Sequence, residues 1–303
     1  MRIATASAYE AAITNLQQRQ RDLADSQVQL TSGKRVNKAS DDPTNAARAE
    51  RSLAAIARIE ASQRALEASR NVMQLTESAL GNANEDLQRA RELIVAAGNG
   101  SYSDGERAAI ANELRGIRQQ LLSTANRTDG AVGYLFGGQG SEAPPFTDTP
   151  TGVVFDGTGG RSQVVSGDAL PIATDGAYTW MQSSAGVSVF DALDKAITEL
   201  DTPGRSPAQI SQSNVENLAN LDSVMERLQS VRAEVGTVLN RLDGIEGRLA
   251  DMRLANQTER SAAEDLDLTQ AISDFRNKQS GYDAALQSYA MVQRMSLFQY
   301  IGR

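Results

Sequence analysis

Six of the seven prolines in this 303-residue chain lie between positions 144 and 207, and the seventh is Pro43. No proline occurs from 44 to 143 or after 207. Because an interior proline costs a helix about 3 kcal/mol, two long stretches are free to run as uninterrupted helices and the window between them is not. Charge divides the chain at nearly the same places. Residues 129 to 214 hold 10 acidic and 3 basic side chains, against 15 and 17 in residues 1 to 128 and 13 and 10 in residues 215 to 303. The net charge of -8 therefore belongs almost wholly to the middle, while the flanks carry both signs, as exposed helix faces do.

Both flanks repeat with a period of seven. Ala6, Tyr9, Ile13, Leu16, Gln20, Leu23, Gln27 and Leu30 alternate at spacings of three and four, the pattern of a coiled-coil seam, and Gly33 follows as a helix-ending glycine. Ile59, Leu66, Met73, Leu80, Leu87 and Ile94 fall seven apart, each followed three residues later by Ser62, Ser69, Thr76, Ala83, Ala90 and Ala97. Small residues beside a large apolar row let a neighbouring helix approach closely, which predicts a bundle. A helix from about Asn45 to Ala97 spans roughly 80 Å at 1.5 Å per residue. Gly98 and Gly100 break it, Ser103-Asp104-Gly105-Glu106 is a capping box for the next helix, and Ser206-Pro207 is an N-cap with proline at the first helical position. Leu218 to Met252 continue the stripe, and Leu268, Ile272, Phe275, Gln279, Tyr282, Leu286 and Tyr289 form a final segment. Gln20, Gln27 and Gln279 at seam positions restrict register and oligomer state at a cost in stability. The two terminal segments are therefore expected to be disordered or loosely paired in a monomer and to fold fully once neighbours cover them.

The middle reads as β structure. Val153-Val154-Phe155, Gln163-Val164-Val165 and Ala177-Tyr178-Thr179-Trp180-Met181 are short β-prone runs, with Asp156-Gly157 and Asp175-Gly176 as hairpin-type turns. The predicted fold is mainly α with a β-rich insert: a long antiparallel helical bundle or coiled coil formed by both chain ends, with a small β domain inserted in the middle. The expected divisions are 1-42 with 257-303, 43-128 with 206-256, and 129-205.

The chain contains no histidine and no cysteine, which removes imidazole bases, Ser-His-Asp and Cys-His sites, His or Cys zinc ligation, haem, iron-sulfur clusters and disulfides. An acidic balance argues against general nucleic-acid binding. No 18-residue apolar run or secretory signal is present, so no membrane insertion is expected. Asp41 and Asp42 fit a helix N-cap better than a cation site, which needs about six oxygen ligands. Gly133 to Gly140 lacks the phosphate-cradling pattern and reads as a connector. Asp156, Asp168, Asp175, Asp191 and Asp194 have no spacing that favours paired-carboxylate hydrolysis and read as solvated surface. Trp180 and Tyr178 read as core of a small β domain rather than a sugar platform. No catalytic residue, metal or cofactor is expected.

Certain motifs go beyond periodicity. Leu30-Thr31-Ser32-Gly33-Lys34-Arg35-Val36-Asn37-Lys38-Ala39-Ser40-Asp41-Asp42-Pro43 resembles the segment that ends the first helix in bacterial flagellins and related hook-associated proteins. Met1-Arg2-Ile3, Ser296-Leu297-Phe298-Gln299-Tyr300-Ile301, Gly133-Tyr134-Leu135-Phe136-Gly137-Gly138, Pro144-Pro145-Phe146 and Ser188-Val189-Phe190-Asp191-Ala192-Leu193 are similar to the hook-filament junction members of that family. Residues 147 to 185 add little. The resemblance implies a structural subunit of the bacterial flagellum, exported through the flagellar type III export apparatus to the cell exterior. Its implied partners are other copies of itself, the other hook-filament junction protein, flagellin, and an export chaperone that binds around Leu268 to Tyr289. Residues 1-42 and 257-303 would form an inner tube, 43-128 and 206-256 a second layer, and the insert would point outward. The implied interface residues are Ile13, Leu16, Leu23, Leu30, Ile272, Phe275, Tyr282, Leu286 and Tyr289, with Gly33, Asn37, Asp41 and Asp42 in the motif loop. The absent cysteines suit a chain that travels unfolded and then lives outside the cell. From periodicity alone an ordinary helical bundle is the plainer reading. The alternatives to the junction role are a filament flagellin, an α-helical signalling scaffold and, more distantly, an enzyme.

Overall fold

The computed structural model describes residues 2–130, 133–140 and 143–301, with the side chains of all of these except 2–8, 165–166 and 292–301. Met1 and the side chains of Arg2, Ile3 and Ser296 to Ile301, which carry the resemblance at the two ends, lie outside the described residues.

Seven helices and four short strands follow one another along the described residues: α1 Arg2–Ser32, α2 Pro43–Ala97, α3 Asp104–Ala125, β1 Phe146–Thr149, β2 Gly152–Phe155, β3 Gln163–Ser166, β4 Asp168–Pro171, α4 Gly176–Trp180, α5 Val189–Asp201, α6 Pro207–Glu264 and α7 Leu268–Ile301. Residues 1–59 with 251–303 form one compact unit and residues 60–250 a second, so α2 and α6 each contribute to both. The mainly α fold with a β-rich middle is as the sequence predicts.

In the central unit the seven-residue pattern does what its spacing implies. Leu66, Met73, Leu80, Leu87 and Ile94 are buried, and so are the small Ser69, Thr76, Ala83 and Ala90. α6 meets this face with Leu221, Leu228, Val231, Val235 and Leu242. Ion pairs Arg70–Glu246 (2.7 Å), Arg232–Glu77 (2.6 Å) and Arg91–Asp222 (2.8 Å) staple the two helices in antiparallel register. α3 starts at the expected capping box: the Glu106 amide donates to Ser103 Oγ (3.3 Å) and the Ser103 amide to Glu106 Oε2 (2.7 Å). α6 starts with the same arrangement between Ser206 and Gln209.

The middle departs from expectation in three ways. The strand run 177–181 is instead helix α4, because the Asp175 carboxylate accepts the Tyr178 amide (3.1 Å) as an N-cap and the Asp175 carbonyl accepts Thr179 Oγ1 (2.6 Å). Strand propensity measures fit to a half-buried surface, and tertiary burial of Thr179 and Trp180 outweighs it here. Asp175-Gly176 is accordingly no hairpin turn; Gly176 stands where a Cβ would come within 2.2 Å of the Phe136 carbonyl oxygen. Nor does Asp156-Gly157 join two paired strands. β2 pairs back onto β1, Phe146 opposite Phe155, across Pro150-Thr151, while β3 pairs with β4 across Gly167, whose φ is 84°.

These hairpins do not enclose a core of their own. Phe146, Val153 and Leu170 belong to the same buried cluster as α2, α3, α5 and α6. Trp180 belongs to it too, fully buried, edge-on to Phe136 (centroids 5.3 Å apart) and stacked with Phe190 (6.2 Å). It therefore has no face to offer a sugar, and Tyr178 carries the Arg227 guanidinium 4.5 Å over its ring. Gly133 to Gly138 closes the cluster as built structure rather than as a free connector: the Gly138 amide donates to the Thr174 carbonyl (3.1 Å), and a Cβ at Gly138 would meet the Thr158 carbonyl oxygen at 1.9 Å. The Arg118 guanidinium joins α3 to β1 and α5 through Asp148 (2.7 Å) and Asp194 (2.6 Å).

Candidate assembly surface

α1 and α7 pack along one another, and their direction follows from three contacts. Tyr9 meets Tyr289 edge-on with centroids 6.2 Å apart, Arg19 lies against Gly281, and Lys278 Nζ donates to Ser26 Oγ at 2.6 Å. The pair is antiparallel.

Burial resolves the candidate residues into two rows. Tyr9, Leu16, Leu23 and Leu30 on α1 are half-buried, as are Phe275, Tyr282 and Tyr289 on α7. The row that completes this seam is shifted by one residue from the apolar pattern. Ala12 is half-buried and Ser26 buried, whereas Ile13, Gln20 and Gln27 are exposed; on α7 Ala271 and Ala285 are half-buried, whereas Ile272, Gln279 and Leu286 are exposed. The small side chains at 12, 26 and 281 allow close approach on that side, and the bulkier ones are rotated out. The glutamines consequently do not sit in the seam within the chain.

What is rotated out is unusual for solvent. Ile13 is 42% exposed, Ile272 45% and Leu286 40%. On α1 the exposed face formed by Ile13, Gln17, Gln20, Ala24, Gln27 and Thr31 contains no charged residue. A solvated helix face ordinarily carries both signs of charge. This one keeps the seven-residue spacing of a seam and lacks charge, which are the properties of a surface that meets another helix.

The motif loop closes the other end of the pair. Gly33 ends α1 with φ 69°, and the chain then runs antiparallel to the short corner between α6 and α7. The Arg35 amide donates to the Glu264 carbonyl (2.7 Å) and the Leu266 amide to the Gly33 carbonyl (3.0 Å). Arg35 Nη2 donates to the Ala263 carbonyl (2.9 Å), while Glu264 pairs with Lys34 (3.1 Å) and Arg260 (2.8 Å). Val36 and Ala263 are buried there. Lys34, Arg35 and Val36 are part of the recognisable motif, but their partners at 263–266 carry no pattern of their own and are found only in three dimensions.

The acidic residues of the loop are used locally. Asp41 Oδ2 accepts the amides of Asn37 (3.1 Å) and Lys38 (2.9 Å), and Asn37 Nδ2 donates to the Lys34 carbonyl (3.0 Å). Asp42 caps α2, accepting the Asn45 amide at 3.0 Å with Pro43 at the first helical position. Among the described residues no three acidic side chains gather where a metal ion could be held. No helix among them is long and apolar enough to cross a membrane.

The capping bond fixes a pH response. Donation from the Asn45 backbone and side-chain amides holds the Asp42 carboxyl below its ordinary range, the Ser103 backbone and hydroxyl do the same for Glu106, and Arg118, Lys195 and Arg70 do so for Asp148, Glu216 and Glu246. A carboxyl lowered on folding stabilises above its unfolded pKa and loses that contribution as pH falls through the folded value. Burial and then the Glu85 charge raise Asp86, which acts in the opposite sense. With five carboxyls lowered against one raised among the described residues, and no histidine or cysteine to titrate near neutrality, the melting temperature is expected to be flat from about pH 6 to 8 and to fall between about pH 5 and 3. Thermal melts across that range check it, and a melting temperature that rose on acidification would contradict it.

Residues 3–141 match the family model of the bacterial flagellin N-terminal helical region. Over 99% of each chain the protein is 33% identical to flagellar hook-associated protein 3 of Salmonella typhimurium and 30% identical to that of Escherichia coli. The solved structure of a putative flagellar hook-associated protein from Vibrio parahaemolyticus shares the fold with a TM-score of 0.68 at 20% identity, covering 74% of this chain and 100% of that one.

Proposed function

The chain belongs to the flagellar hook-associated protein 3 family, and on that premise we propose that it is a structural subunit of the bacterial flagellum, joining the hook region to the filament by ordered polymerisation through its terminal helices. The observation that carries this reading is the uncharged, seam-periodic face of α1, exposed beside Ile272 and Leu286 of α7. A helix face of that kind is stabilised by burial against further helices, and a polymer of like subunits supplies them.

Ile13, Gln20, Ile272 and Leu286 are then contacts between copies, while Leu16, Leu23, Leu30, Phe275, Tyr282 and Tyr289 hold α1 on α7 so that the outer row is presented. Gly33, Asn37, Asp41 and Asp42 shape the turn that sets the pair in place. Residues 1-42 and 257-303 form the inner layer of the assembly, 43-128 and 206-256 a second layer, and the acidic 129-205 segment its outer surface. The neighbours along the flagellum are the other junction protein on one side and flagellin on the other. Before assembly the chain passes through the flagellar export apparatus to the cell exterior, and an export chaperone covers α7 around Leu268 to Tyr289, shielding its apolar side chains. None of these tasks requires catalysis.

Deletion of the gene tests the role. Cells with intact hooks, no filament and flagellin leaking into the medium are the expected result. Normal filaments in the deletion strain would refute it, and long filaments formed by the purified protein alone would reassign it to the filament.

A further inference from the structure

The junction role explains why the terminal helices expose a sticky face, but not how two segments some 230 residues apart in sequence find each other in the right register. Along α1 and α7 the pairing is modest. Its apolar side chains, Leu16, Leu23, Leu30, Phe275 and Tyr282, are only half-buried, and the row beside them is the small Ala12, Ser26 and Gly281, so each turn buries limited apolar area. The contact between 33–36 and 263–266 is of another kind. It combines three backbone hydrogen bonds, a guanidinium-to-carbonyl bond, a carboxylate shared by two cations, and two buried side chains, Val36 and Ala263. It also stands where both segments change direction, at the end of α1 and between α6 and α7.

We infer that this contact is a clasp that couples the two terminal helices, so that α1 and α7 order and loosen together rather than independently. The loop-closure cost of bringing distant segments together is met once, at the clasp. Beyond it the two helices are held at a high effective concentration and pair outward from Ser26 and Lys278 to Tyr9 and Tyr289. The register of the exposed row on α1 relative to that on α7 is thereby set by four corner residues, Gly33, Arg35, Glu264 and Leu266. This coupling stands whether or not the chain occupies the hook-filament junction, because it concerns order within one subunit.

The absence of native cysteine makes a clean test available. Lys34 and Asp265 form an antiparallel bridge flanked by the bonds from Arg35 to Glu264 and from Leu266 to Gly33. They are thus a non-hydrogen-bonded pair, with Cα atoms expected about 4.5 Å apart, within the span of a disulfide. In the full-length K34C/D265C protein, hydrogen exchange is compared between the oxidised and reduced forms, which differ only in that bond. Coupling predicts that oxidation slows exchange by about tenfold or more in both 9–30 and 270–289, far from the bond itself. The double variant Arg35→Ala, Glu264→Ala should speed exchange in both segments together. Residues 79–94, in the separate central core, report in each case that the chain has folded. Protection that changed only beside positions 34 and 265, or in one arm without the other, would overturn the inference.

Discussion

Trp180→Ala is expected to destabilise the central unit by about 3–5 kcal/mol, the range for deleting a large buried aromatic side chain. Trp180 has no exposed surface and touches aromatic rings from three other places in the chain: Phe136 in the 133–140 segment, Phe146 on β1 and Phe190 on α5. Such rings bury roughly 150–250 Å² each, and edge-to-face pairs add about 0.5–1.5 kcal/mol beyond area. The surroundings cannot collapse into the gap easily, because Gly138 and Gly176 already bring backbone oxygens against backbone, where not even a methyl group fits. The cost should therefore fall toward the upper end of the range. Tyr178→Ala is the control, a half-buried neighbour on the same helix whose loss should cost clearly less. Urea unfolding followed by hydrogen exchange of residues 79–94 measures both. Equal and small effects would mean that the β hairpins and α4 are an appendage rather than part of the α2, α3, α5 and α6 core.

That shared core is also where the sequence was hardest to read. The heptad rows of α2 were legible because one helix face makes one kind of contact for many turns, so each of Leu66, Met73, Leu80, Leu87 and Ile94 repeats the same information. Caps were legible because Ser103 with Glu106, and Asp42 with Pro43, act on amides within three residues. β1, with Phe-Thr-Asp-Thr, and β4, with Asp-Ala-Leu-Pro, offer too few alternating positions to stand out. Their stability comes from Phe146 and Leu170 reaching a core made by helices far away in sequence. α4 was misread for the same reason, since its β-prone side chains answer to Phe136 and Phe190 and not to each other. At the assembly surface the seven-residue period identified the helices, but not which of two adjacent rows faces inward. That choice was made by Ala12, Ser26 and Gly281, whose smallness carries no hydrophobic signal. The clasp partners at 263–266 act across 228 residues or more and leave no local trace.

The distinction between the two rows leads to different outcomes in the free subunit for equally charged substitutions ten residues apart. Ile13→Glu places a carboxylate on a side chain already 42% exposed, so the free subunit should melt within about 0.5 kcal/mol of the parent. Assembly should nevertheless fail. If this row is covered by a neighbouring copy, every added subunit buries an unpaired charge, a penalty of about 3–5 kcal/mol, which raises the concentration needed for polymerisation by about two to four orders of magnitude. Leu23→Glu, on the half-buried inner row, should instead strip protection from 9–30 and 270–289 in the monomer, and lose assembly as a consequence. Ile13→Leu keeps the apolar contact and should assemble as the parent does. Sedimentation of purified subunits across a concentration series, scored for small assemblies rather than long filaments, beside melting and hydrogen exchange of the same samples, separates the three. Ile13→Glu subunits that assemble at the parental concentration would show that the uncharged face of α1 meets water in the assembly, and would confine the contact between copies to the Leu268, Ile272 and Leu286 side of α7, where the same pair of measurements on Ile272→Glu would then decide it.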